Sequence, residues 1–186
     1  MPLFDAYLMV DWSAANAPNR GKDSIWLGLT VRERHGLRLT HLENPATRAN
    51  ATERIIQLAA INLHRGRRIL IGFDFPFGFP AGTARALGKR GLPWRNLWQE
   101  LDDRLVDHDD NRNNRFDVAE GLNAALTGEP FPFWGLSREE VRPFLVRRNR
   151  RPHGEGDLAE RRLCDIRIPS TQPVWKLARA GSVGSQ

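Results

Sequence analysis

The sequence predicts an α/β domain built on a mixed sheet. Three observations carry that prediction: three short apolar runs near the N-terminus separated by turn formers, a stretch of helical periodicity after them, and a fourth apolar run directly beyond. The first run, Tyr7-Leu8-Met9-Val10, ends at Asp11 and the small residues Ser13-Ala14-Ala15. Turn formers from Asn16 to Gly21 lead into a second run, Ser24 to Val31, and His35-Gly36 turns the chain into a third, Leu37 to Leu42. Short connections of this kind join antiparallel neighbours, so the three strands form a meander.

From Asn50 to Arg65 the residues Ile55, Ile56, Ala59, Ala60 and Leu63 recur at helical spacing, with Asn50 or Thr52 as the expected cap and Gly66 just past the end. The run Arg67 to Asp74 then reads as a fourth strand, stopped by Pro76 and Pro80, neither of which can donate to a sheet ladder. Further on, Leu97 to Val106 and Val118 to Leu126 are helical in pattern, and Ser137-Arg138-Glu139-Glu140 has the form of a capping box. Trp94 and Trp98, four residues apart, suggest a buried stripe. The stretch from Arg147 to Asp157, rich in Arg, Pro and Gly, reads as an exposed loop. The expectation is one domain over residues 1–186, cut short of its C-terminal elements.

Composition narrows the class. Aromatic residues are plentiful, with six tryptophans and nine phenylalanines, which excludes a disordered chain. No apolar run approaches the ~20 residues of a membrane helix, and the first run is too short for a signal peptide. The lone Cys164 excludes a disulfide framework and a multi-cysteine zinc site, which points to a reducing cytoplasm. The net charge is +6, and only Lys22, Lys89 and Lys176 among the 28 basic residues are lysines. An acidic stretch from Leu101 to Glu120 precedes a basic one from Arg138 to Arg167, which reads either as solvated helix faces or as a phosphate-facing surface beside a cation-binding one.

Topology gives two residues special weight. A strand, helix and strand in one sheet form a right-handed crossover, so the fourth strand should run parallel to the first. If the two are neighbours, the sheet has a switch point there, and ligands collect outside the carboxyl ends of its strands. Asp11 and Asp74 occupy those two ends. Alternation places Asp11 with Tyr7 and Met9, and Asp74 with Leu70 and Gly72, on a common side. Two carboxylates so close repel each other; either one takes a proton or a divalent cation neutralises both. All-oxygen ligands suit Mg²⁺ or Mn²⁺ rather than zinc, and a pair of such ions ~3.5–4 Å apart can support phosphodiester cleavage.

Val10-Asp11-Trp12-Ser13-Ala14-Ala15, Asp23-Ser24-Ile25-Trp26 and Ile71-Gly72-Phe73-Asp74-Phe75-Pro76-Phe77-Gly78 resemble segments of a family of uncharacterised bacterial proteins predicted to be nucleases of RNase H-like fold. Some of its members carry a cobalamin-biosynthesis label. The resemblance covers roughly Met1 to Gly82 and is looser to Gln186. It implies a five-stranded RNase H-like sheet opening with three antiparallel strands, with Asp11 as the first-strand metal ligand and Asp74 as the fourth-strand acid. It also implies a further acid from a later helix, for which Asp102, Asp103 and Asp107 are candidates by composition.

The resulting expectation is a Mg²⁺- or Mn²⁺-dependent nuclease, with Lys22, Arg147, Arg148, Arg150 and Arg151 as phosphate-binding residues. A non-catalytic binding module of the same fold, linked to cobalamin metabolism, is the alternative. A nucleotide-dependent phosphotransferase ranks third, because no Gly-x-x-x-x-Gly-Lys-Ser/Thr loop is present. Phe75, Phe77 and Phe79 either stack bases or, as the preferred reading, pack beneath a loop. Ser13 lacks a candidate His and acid to activate it, and Cys164 reads as a packed thiol.

Overall fold

The structure, a computed structural model, describes residues 2–136, 140–148, 151–168, 170–178, 182 and 184. The chain divides into two compact units, Met1–Asp74 with Asp107–Asn113, and Phe75–Val106 with Asn114–Gln186. Together they contain four strands and five helices among the described residues, so the class is mixed α/β.

The first unit is the sheet. Strands β1 (Ala6–Asp11), β2 (Trp26–Glu33) and β3 (Gly36–Glu43) form the antiparallel meander, and β4 (Ile69–Phe73) returns parallel to β1. The order is β3-β2-β1-β4, so β1 lies centrally with an antiparallel neighbour on one side and a parallel one on the other. The fifth strand implied by the resemblance has no counterpart among the described residues.

Alternation decides what each face carries. Ala6, Leu8 and Val10 from β1 and Leu27, Leu29 and Val31 from β2 point to one side and are buried. There they meet Ala51, Ile55 and Leu58 of helix α1 (Arg48–His64), with Ile69, Ile71, Phe73 and Trp12 closing the cluster. Burying each large aliphatic side chain contributes roughly 1.5–3 kcal/mol, which is why these alternate positions hold the sheet on the helix. The opposite face carries Tyr7, Met9 and Asp11, and Met9 remains 48% exposed.

The helix begins two residues earlier than its periodicity suggests. Thr47, not Asn50 or Thr52, is the cap; its hydroxyl accepts from the Asn50 amide at 3.2 Å. Immediately after that cap sits a side chain with many partners. Arg48 is buried, and its guanidinium grips both oxygens of Asp107 at 2.6 Å. It also donates to the carbonyls of Ser13, Ala15 and Asn111. Asn111 returns the connection, accepting from the Arg48 amide and donating to the Ala17 and Ala46 carbonyls. The loop after Asp11 is thereby tied to the start of α1 and to the segment Asp107–Asn113.

The second unit has its own core, formed by Val118, Ala119 and Leu122 of α4 (Arg115–Leu126) with Phe133, Leu136, Leu145, Val174, Trp175 and Leu177. Asn123, fully buried, accepts from the Phe133 amide and donates to the Phe133 and Phe144 carbonyls. Gly135 is fixed as glycine there: its φ is +114°, and a Cβ would come within 2.7 Å of the Ala178 amide. Two single-turn helices, α2 (Thr83–Ala86) and α5 (Leu163–Ile166), escape a periodicity search because they are one turn long.

Two expectations change in this unit. Trp94 and Trp98 are not a buried stripe; they are 62% and 41% exposed. Helix α3 (Pro93–Arg104) turns Leu97 and Glu100 inward instead, because Lys89 and Arg104 neutralise Glu100 and make its burial tolerable. The phenylalanine series splits. Phe79 packs against Phe133 and stacks on Trp175, whereas Phe77 is exposed and pairs with Phe75 at 5.4 Å. The capping-box residues Ser137, Arg138 and Glu139 lie outside the described residues. No helix among the described residues is long and apolar enough to cross a membrane.

Replacing Arg48 with Met should destabilise the sheet unit by about 3 kcal/mol, since it leaves Asp107 and several carbonyls without their donor. Hydrogen exchange of β1 and β4 amides in increasing denaturant measures this directly, and unchanged protection would show that the clamp is dispensable.

Candidate functional site

The β1–β4 register fixes the site. Val10 pairs with Phe73, and the Asp74 amide donates to the Val10 carbonyl at 3.2 Å, so Asp11 and Asp74 emerge at the same level. One oxygen of Asp74 is already held: Oδ1 accepts from the Trp12 amide at 2.8 Å. The Asp11 side chain hydrogen-bonds with Asp74. On the core side, Trp12 meets Phe73 edge to face at 6.0 Å, which props the two strand ends against each other.

The Asp11 carboxyl is held above its ordinary pKa of 3.8. It keeps an open side to solvent, yet crowding of its other side is the largest cause; the hydrogen bond with Asp74 and that residue's negative charge follow. A bound proton and a bound cation are the two ways to relieve such a pair.

The other sequence-derived candidates distribute as follows. Asp107 belongs to the sheet unit, but both its oxygens are engaged by Arg48. Asp102 and Asp103 are exposed on α3 of the second unit, where Asp103 accepts from Gln99. Among the described residues, no group of three or more His, Cys, Asp or Glu side chains is placed to hold a metal ion. Composition favoured Asp107 for its acidic surroundings; the arginine that claims it lies 59 residues away and leaves no local signal.

Lys22 is exposed in the β1–β2 connection of the sheet unit. Arg147 is half-buried and Arg148 exposed in the second unit, and Arg150 lies outside the described residues. Arg151 is engaged: it pairs with both oxygens of Asp157 at 2.9 Å and lies 4.2 Å from the Phe131 ring. Ser13 is a loop staple, donating to the Asp23 carbonyl and accepting from the Ala15 amide.

Sequence reasoning missed two contributors, Arg48 and Trp26. Trp26 pairs directly with Asp11 across β1 and β2, so its indole rises beside that carboxylate on the same face. Only the register reveals it. No family model, curated protein or solved structure matches the chain.

Replacing Asp74 with Asn keeps an acceptor for the Trp12 amide and removes the neighbouring negative charge. Asp11 should then titrate closer to 3.8, as read by carboxyl NMR. The raised value also sets the sign of a stability effect. The folded chain holds the Asp11 proton more tightly than the unfolded one, so this group's contribution falls as pH rises above 3.8 through the folded value. Asp11→Asn should therefore stabilise the sheet unit at neutral pH and lose that advantage in acid, measured by denaturation at both pH values.

Proposed function

We propose that the chain is a divalent-metal-dependent phosphodiester hydrolase of RNase H-like fold acting on nucleic acid. The observation that supports this reading best is the meeting of Asp11 and Asp74 at adjacent parallel strand ends, with the Asp11 pKa raised by crowding and by its neighbour. Isolated surface acids need no partner; a pair under mutual repulsion at a switch point is suited to a cation.

The donor set fits Mg²⁺ or Mn²⁺. Both side chains offer only oxygen, and Mg²⁺ commonly uses one or two carboxylates while keeping several waters. Asp11 and the Asp74 oxygen that Trp12 leaves free would hold it. Two carboxylates suit one ion better than the pair of ions a larger acid cluster supports. When bound, such an ion makes water a stronger nucleophile and offsets charge developing on the phosphoryl oxygens.

The chain's own groups do the rest. The Trp12 amide fixes the rotation of the Asp74 carboxylate. Asp11 would bind the ion in its ionised form, so the ion would compete with the proton that crowding and Asp74 favour there. The Arg48 clamp on Ser13 and Ala15 holds the loop that follows, so little ordering remains to be done on binding. Lys22, exposed on the same connection, supplies a cation for phosphate.

A specific observation favours a second reading, a non-catalytic binding module with a link to cobalamin metabolism. It is the lack of a third metal-holding group beside the pair among the described residues. Incubation of the chain with single- and double-stranded DNA and RNA in Mg²⁺ or Mn²⁺ separates the two. The hydrolase reading expects metal-dependent cleavage that drops about 10²-fold or more in Asp11→Asn and in Asp74→Asn. Cleavage unchanged in the double variant would reject it, and metal-independent binding without turnover would favour the module. Mn²⁺ should also raise the melting temperature at neutral pH in the native chain and not in the double variant, by the mass-action stabilisation any selective ligand gives.

A further inference from the structure

The open face of the sheet has a gap in its side-chain cover. Gly28 lies between Trp26 and Thr30 on β2, opposite Met9 on β1 and Leu42 on β3. A Cβ placed at Gly28 would meet nothing within 4 Å. On the far side of Met9, Gly72 is the reverse case: a Cβ there would lie 3.0 Å from the Met9 methyl carbon and 3.1 Å from its sulfur. Met9 therefore leans over β4 and leaves the β2 side uncovered.

The result is a flat shelf of backbone with apolar borders. Leu42 on one border is 62% exposed, and Met9 on the other is nearly half exposed. Trp26 closes the end nearest Asp11. Its ring is pinned, because Nε1 donates to the Gly21 carbonyl at 3.0 Å. Gly21 is itself anchored by its amide to Asn44 Oδ1 at 2.7 Å, and Asn44 is fixed on Ile25 and Ser24. An aromatic wall held by its polar edge is ready to stack without further ordering. On either side of Gly21, Arg20 and Lys22 are exposed; the Lys22 carbonyl accepts from the Asn19 amide group at 3.2 Å, and both basic side chains face solvent.

We propose that this shelf seats one unstacked base of a single-stranded nucleic acid, with its phosphate toward the Asp11–Asp74 pair and Arg20 and Lys22 meeting the backbone charge. The proposal rests on the hydrolase reading and adds its substrate class. A planar ring suits a floor one glycine wide, and the basic turn complements a polyanion. A base inside a duplex has its faces covered by its neighbours, so it cannot lie there.

The test uses the full chain carrying Asp11→Asn and Asp74→Asn, which blocks turnover. Fluorescence anisotropy compares a single-stranded oligonucleotide of about eight residues with an abasic strand of equal charge. The single strand should bind about tenfold tighter or more, in line with the usual worth of base–aromatic stacking. Gly28→Val fills the shelf without a clash and suits a strand, so the fold should survive, as circular dichroism checks. It should remove that tenfold preference and leave abasic binding unmoved. Trp26→Ala should weaken binding more than Trp26→Phe.

Equal affinity for the two strands, or no change on Gly28→Val, overturns the shelf. Self-association through this face, broken by Gly28→Val without oligonucleotide binding, also overturns it. The hydrolase reading is judged separately, by Mn²⁺-dependent cleavage in the chain with both aspartates intact. Cleavage with an unaltered KM in Gly28→Val would sink the shelf and spare that reading. Base-dependent binding without any cleavage would do the opposite.

Discussion

The parallel pairing of β1 with β4 governs where the candidate chemistry lies. An antiparallel return would put the end of β4 beside the start of β1, at the opposite edge of the sheet. The 17 residues of α1 make the parallel return possible. At ~1.5 Å rise per residue they span about 25 Å, enough to carry the chain back along strands of five and six residues. The buried stripe Ala51, Ile55 and Leu58 keeps that helix on the sheet. Register then does the remaining work: with Val10 against Phe73, each strand's next residue is an aspartate.

Repulsion between those aspartates must be supported by stabilisation elsewhere in the unit. Asp74 receives the Trp12 amide, which lowers the cost of one negative charge. Behind the loop, Arg48 carries a buried positive charge and spends it on Asp107 and three carbonyls. The strand ends and the following loop are thus set by interactions that do not involve the Asp11 carboxylate. That side chain is left open on one side, which is the condition for it to exchange a proton or a ligand.

The strands and helix of the sheet unit were legible because each is long and patterned: alternation marks Leu8 and Val10, and helical spacing marks Ile55, although Ile56 and Leu63 of the same series are exposed and Leu58 takes the inward place. The strand order followed from short connections and one crossover. What stayed hidden depends on long-range pairing. Thr47 caps α1 because the chain bends there, and Asn50 is no worse a cap in isolation. Arg48 and Asp107 look like ordinary surface charges until the fold joins them. Trp94 and Trp98 obey helical spacing, yet spacing cannot say which side of α3 faces inward; Leu97 and Glu100 take that side. Trp26 and the bare floor at Gly28 are products of register, which no local window contains.

Electrostatics links the two proposals at the open face. A phosphodiester approaching Asp11 and Asp74 meets at least one negative charge even when the pair shares a proton, so protonation alone does not prepare the site for a polyanion. On the hydrolase reading a divalent cation would reverse the local sign, and because its ligands must be deprotonated it would compete with the proton that the Asp11 surroundings favour. Cation affinity and proton affinity therefore oppose each other at one carboxyl group. The base shelf lies one cross-strand step from that group, at Trp26, and its stacking surface carries no charge. If both proposals hold, stacking would keep a nucleotide near the pair before a cation is in place, whereas the phosphate would settle only after the charge is reversed.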